Sequence, residues 1–128
     1  MGFFDFLKPK FLTVRRISSS DQTQIRQQWA SILELIKLGK PSTLKEAVVK
    51  ADKILDFALR SLVEGETLGE RLKNSKDKFT RTGYDNIWKA HKVRNAMAHE
   101  LNYDPPTFVL KEALESFGQG LKELGVYL

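Results

Sequence analysis

The 128-residue chain contains no cysteine, and that absence removes thiolate-bound zinc, thiol nucleophiles and disulfide scaffolds together. Long apolar runs are also missing: nothing approaches the ~18 to 20 consecutive apolar residues that a membrane span needs. The first residues lack the charged, then apolar, then small pattern of a secretory signal, so the expected address is the cytoplasm. Acidic residues are outnumbered, 16 Asp+Glu against 21 Lys+Arg, which leaves a formal charge of +5. What remains, 41% hydrophobic with 29% charged residues, is enough apolar material for one core and enough charge for a solvated exterior, which excludes wholesale disorder.

Residues 1–19 differ from the rest. Phe3, Phe4, Phe6, Leu7, Phe11 and Leu12 crowd a segment interrupted by Pro9 and followed by Ser18, Ser19 and Ser20. It reads as an appendage that folds back on the domain, docks a partner or touches a membrane surface. Residues 20–128 read as helical, because apolar residues recur with a 3.6 period and no alternating run supports a sheet. A first helix is expected from about Asp21 to Leu38, with an Asx cap and a stop at Gly39, burying Ile25, Trp29, Ile32 and Ile36. Thr43 with Glu46 forms a capping box for a second, whose stripe of Leu44, Val48, Ala51, Leu55, Leu59 and Leu62 ends at Gly65.

A second box, Thr67 with Glu70, predicts a short helix to about Asn74, then a polar, mobile connector through Lys76, Asp77, Lys78 and Thr80. A fourth helix is expected from Gly83 or Asp85 to about Leu101, since Asp104-Pro105-Pro106 forbids continuation. The last begins at Thr107, and Leu110, Leu114, Phe117, Leu121 and Leu124 form a seam for a partner helix. The economical architecture is an all-α, antiparallel bundle of four to five helices.

The fourth helix carries the chemistry. At 100° per residue, Tyr84, Ile87, Ala90, Val93, Met97, Ala98 and Leu101 share a core face, while Asp85, Lys89, Lys92 and Glu100 share a solvated one. Arg94 and His91 break the pattern by falling inside the apolar stripe, where an unpaired charge costs several kcal/mol. Trp88, Asn95 and His99 lie along the shoulder, and Asn95 and His99, four apart, can act on one small object.

The run Arg94-Asn95-Ala96-Met97-Ala98-His99, late in a bundle helix, resembles the RNxxxH form of the Rx4-6H signature of HEPN domains, and the bundle resemblance covers about residues 21–125. The resemblance implies metal-independent endoribonuclease activity, as in many members, with Arg94, Asn95 and His99 at a site where two protomers meet. It therefore implies a homodimer, with RNA as substrate and no cofactor or metal. Toxin-like members imply a protein antitoxin or regulator as a further partner. Other members are inactive or bind nucleotides and partners. Some toxin-type members carry a Tyr two residues after the His; here that position is Leu101, with Tyr103 four after.

These residue types suit RNA cleavage by its own 2′-hydroxyl. A His serves as base or acid near neutrality. A guanidinium grips phosphate oxygens, and an Asn amide orients phosphate or the imidazole. Five residues separate Arg94 from His99, about 140° on an unbroken helix, so either the helix loosens before Pro105 or a two-fold mate supplies the missing half. Around the motif, Arg71, Lys73, Lys76, Lys78, Arg81, Lys89, Lys92 and Arg94 outnumber Asp77 and Asp85, and the first seven are expected to bind RNA phosphates.

Plainer readings stand beside these. Arg94 pairs with a buried carboxylate such as Asp52 or Asp56, His99 serves the helix dipole, His91 is a satisfied core histidine, and Trp29 and Trp88 belong to the core. The basic stretch is then a solvated face. His99, Glu100 and Asp104 lack any recognised metal-ligand spacing. The competing class of function is a non-catalytic helical module that binds nucleic acid, nucleotide or a protein.

Overall fold

The computed structural model describes residues 15–128; the Phe-rich positions from Phe3 to Leu12 lie outside them. Five α-helices and one 3-10 turn make up the described residues, with no strand among them: α1 Ser19–Leu38, α2 Pro41–Arg60, α3 Leu68–Asn74, the 3-10 turn Lys76–Lys78, α4 Arg81–His99 and α5 Thr107–Glu123. The all-α bundle is thus the architecture.

Contacts between helix ends fix the directions. Ser61, just past α2, donates to Asp21 in the first turn of α1 at 3.3 Å, so α1 and α2 are antiparallel. Glu123, ending α5, accepts from the Thr80 backbone N–H before α4 at 2.6 Å. Lys45 near the start of α2 reaches Asp104 beyond α4 at 2.6 Å. Gln22 of α1 donates to the Gly125 carbonyl after α5 at 2.7 Å. Together these give an up-down-up-down bundle of α1, α2, α4 and α5, with α2 at its centre, packed on both α1 and α5.

Local signals explain the boundaries, several of which differ from expectation. Helix α1 starts at Ser19 because Ser18, not Asp21, is its cap, the Ser18 hydroxyl accepting the Asp21 N–H at 3.1 Å. Ile17 packs on the core and Arg15 pairs with Glu64, whose carboxyl the guanidinium holds below its usual range. The bundle therefore begins before the expected boundary at residue 20.

In α2, Pro41 takes the first position, where its fixed φ suits a helix and its missing N–H costs nothing. Thr43 serves from inside, accepting the Lys40 N–H at 3.1 Å. The helix ends at Arg60 rather than running on to Gly65, which has a φ of 147°. A Cβ at Gly65 would lie 2.8 Å from Arg71 Cγ, so the loop needs glycine there. Thr67 caps α3 as expected, accepting from the Glu70 N–H at 3.1 Å.

The core holds the expected stripes: Ile25, Trp29 and Ile32 of α1; Leu44, Val48, Ala51, Leu55 and Leu59 of α2; and Leu110, Leu114, Phe117 and Leu121 of α5. Removing such side chains from water is the main stabilising term. The seam on α5, expected to receive a partner helix, is filled by the chain's own helices, so it gives no basis for association with another copy. Leu101, placed by the wheel on the core face, is 97% exposed. Helix α4 stops at His99 and Glu100 is already extended (φ −98°, ψ 120°), so the angular arithmetic no longer applies two residues later.

Candidate functional site

Two polar interruptions of apolar stripes meet at mid-bundle. On α2, Asp52 sits among Val48, Ala51 and Leu55; on α4, His91 and Arg94 sit among Ile87, Ala90 and Val93. Because α2 and α4 are antiparallel and each element is near its midpoint there, the residues face one another. Asp52 and His91 are 7% and 8% exposed, burial that an unpaired carboxylate would not tolerate. The pair satisfies itself: His91 Nδ1 lies 2.9 Å from Asp52 Oδ1.

The other carboxylate oxygen faces Arg94, with Nε 3.7 Å from Oδ2. That is an ion-pair separation, longer than a hydrogen bond, and the buried Arg94 Nε has no hydrogen-bond partner among the described residues. The Arg94 side chain keeps 27% of its surface exposed. On the far side of the imidazole, Asn95 Nδ2 lies 3.2 Å from His91 Nε2. Trp88 presents its ring edge-on to His91, centroids 5.9 Å apart, and is itself met edge-on by Tyr84 at 6.3 Å. One buried carboxylate thus touches Arg94 directly and Asn95 through an imidazole.

Asn95, four residues before His99, turns its amide back one helical turn to His91. His99 is the last residue of α4 and is exposed. Helix α4 is regular to that point, with the Glu100 N–H bonded to the Ala96 carbonyl at 2.9 Å. Loosening of the helix before Pro105 is therefore excluded as a way to bring Arg94 and His99 together, and the separation of about 140° stands. Beyond His99 the chain exposes Leu101, Tyr103 and Phe108, the last 66% accessible. Asp104, one member of the weak metal-ligand trio, is taken by Lys45.

Of the two carboxylates offered to Arg94 by the sequence, Asp52 receives it. Asp56 goes to Arg71 at 2.7 Å and to Arg60 at 3.0 Å. This corrects the expectation for Arg71: it is buried, its guanidinium bonded to Asp56 and to the Gly65 carbonyl, and it ties α3 to α2 instead of facing phosphate.

The other six cations remain at or near the surface but divide into groups. Lys73, Lys76 and Arg81 line a hollow at the α3–α4 junction together with Phe79, Tyr84 and the carboxylates Asp77 and Asp85. Lys76 Nζ lies 5.8 Å from the Tyr84 ring centre. Lys78 is half-buried beside it. Lys89 and Lys92 line a different groove, between α4 and α5, together with Glu100 and Glu112. The connector expected to be mobile is a 3-10 turn anchored by buried Ser75 and Phe79.

The joining of Asp52 to His91 is not among the contacts expected from sequence. Its signal was present: an Asp at i+4 from Val48 on an otherwise apolar face, opposite a helix with its own misplaced His.

Among the described residues no helix is long and apolar enough to cross a membrane. No protein-family profile matches the chain, and neither a curated protein nor a solved structure does.

Proposed function

We propose that the chain is a HEPN-type, metal-independent endoribonuclease of the cytoplasm, acting as a homodimer on RNA. The observation that carries this reading is the anchoring of Arg94 and Asn95 by the buried Asp52–His91 pair, on the helix that ends in an exposed His99. A surface arginine costs side-chain entropy to fix. Here the carboxylate has already fixed its stem, while part of the guanidinium side chain still meets solvent.

In the proposed reaction the 2′-hydroxyl loses its proton to His99 of one protomer and its oxygen attacks the adjacent phosphorus. Arg94 stabilises the added charge on the phosphorane. The bond to the 5′-oxygen then breaks, and the same His99, now an imidazolium, returns its proton to that oxygen. The products are a 2′,3′-cyclic phosphate and a free 5′-hydroxyl. A two-fold mate supplies the Arg94 that one helix cannot bring to its own His99, so each dimer holds two sites, each built from Arg94 of one protomer and His99 of the other. Exposed Leu101 and Tyr103, which follow His99 in the chain, and Phe108 at the start of α5 are apolar material suited to such a contact. Lys73, Lys76 and Arg81 would extend the phosphate path, and a toxin-like role would add a protein antitoxin.

A second reading is favoured by one fact. Arg94 leans on Asp52 rather than standing free, as it would in a non-catalytic module that binds nucleic acid, nucleotide or a protein. The two are separated by incubating the purified protein with a structured RNA pool in EDTA, with His99→Ala as control. The enzyme reading expects cyclic-phosphate ends, an inert DNA strand and a loss of at least ~100-fold in His99→Ala. Equal cleavage by His99→Ala would assign the activity to a contaminant and leave the binding module.

A further inference from the structure

We infer that His91 is a positioning residue through which Asp52 turns the carbonyl oxygen of Asn95 outward, as an acceptor for a hydroxyl donor such as the ribose 2′-hydroxyl. The inference deepens the RNA reading and rests on it for its ligand class.

Donor and acceptor roles fix the orientation of each group in the cluster. An ionised carboxylate only accepts, so with Asp52 Oδ1 at 2.9 Å the proton of the neutral imidazole sits on His91 Nδ1. Nε2 then carries a lone pair and needs a donor. Asn95 offers its amide nitrogen at 3.2 Å, which commits Nδ2 to His91 and turns Oδ1 the other way. Were the ring protonated on Nε2, the amide would rotate, its oxygen would face the ring, and only N–H groups would point outward. The imidazole tautomer thus decides whether Asn95 presents an acceptor or donors.

Rotation of the ring itself is opposed from both sides, by Asp52 and by the edge contact with Trp88 at 5.9 Å. Arg94, the next residue, is oriented by the second oxygen of the same carboxylate. A phosphate on Arg94 would therefore bring its neighbouring ribose toward an acceptor. DNA lacks the hydroxyl that would answer it, and leaves a half-buried amide oxygen unpaired.

The test has a spectroscopic arm and a binding arm. In the ¹⁵N NMR spectrum of the wild-type protein at neutral pH, His91 should show a protonated Nδ1 and an unprotonated Nε2. An Nε2–H tautomer or a doubly protonated ring overturns the inference. In the binding arm, single-stranded RNA and the DNA of the same sequence are titrated against His99→Ala protein, in which cleavage is suppressed. The preference for RNA should fall about tenfold when His91→Phe is added, on the scale of one hydrogen bond. It should return in His91→Gln, whose Oε1 again accepts the Asn95 amide. An RNA preference that is absent, or that survives His91→Phe with the helical signal intact, contradicts the inference. If His91→Phe does not fold, His91→Gln and the wild-type spectrum still decide. A protein that shows this His91-dependent preference but never cleaves RNA keeps the positioning role and loses only the nuclease reading.

Discussion

Asp52 and His91 lie 39 positions apart in sequence, and their side chains meet at 2.9 Å in the middle of the bundle. The pair joins α2 to α4 at a level where both helices interrupt their apolar stripes, and it sets the orientation of Arg94 and Asn95 one turn on. Removing the carboxylate leaves Arg94 and His91 without their partner. Asp52→Ala should cost about 3–5 kcal/mol, the scale for breaking a buried ion pair, measured by urea unfolding. A cost within about 0.5 kcal/mol, typical of a surface change, would show that the cluster contributes nothing to stability.

Glu123 performs a different join. Its carboxylate accepts both the N–H and the hydroxyl of Thr80, at 2.6 and 2.9 Å, so an acidic group stands at the N-terminus of α4, where the helix dipole favours it. Glu123→Ala and Thr80→Ala should each destabilise by about 1 kcal/mol. Because they share these bonds, the double variant should cost less than the sum. Full additivity would mean the two groups act independently.

Close packing of α4 on α5 depends on Gly120, where an added Cβ would come within 2.7 Å of Ile87 Cδ1. Ile87 is fully buried and has little room to yield. Gly120→Ala should destabilise by about 1–3 kcal/mol despite its better helix propensity, and a rise in melting temperature would contradict this packing.

The cations separate by role. Neutralising Lys73, Lys76 and Arg81 should flatten the salt dependence of RNA binding by roughly 0.7 per lost phosphate contact, with stability unchanged. Arg71→Ala should do the reverse, lowering stability through Asp56 while leaving the slope alone. A slope that falls with Arg71 as much as with Lys76 would undo the division.

The apolar periodicity made the helices legible, as Leu110, Leu114, Phe117 and Leu121 occupy the core they spell out. The starts of α1, α2 and α4 were less legible, because Ser18, Pro41 and Thr80 compete with equally plausible caps a few residues on. Leu101 was misplaced because a wheel has no means of knowing where its helix stops. Arg71 was misread because its counter-charge, Asp56, lies on another helix, and sequence spacing does not report contacts between helices. The same limit hides the Asp52–His91 bond, although His91 and Arg94 stand out as polar residues on an apolar face and Asp52 is one of the two carboxylates open to Arg94.

The central claim, that Arg94 and His99 act together across two protomers, is tested most directly by complementation. Arg94→Ala and His99→Ala proteins, each inactive alone on a single-stranded RNA, are mixed and allowed to exchange subunits. Half of the dimers are then mixed, and one of the two sites in each holds an intact Arg94 and an intact His99. The mixture should recover about a quarter of the wild-type cleavage rate. A mixture as inactive as its components, with subunit exchange verified by mass, would contradict a site shared between protomers.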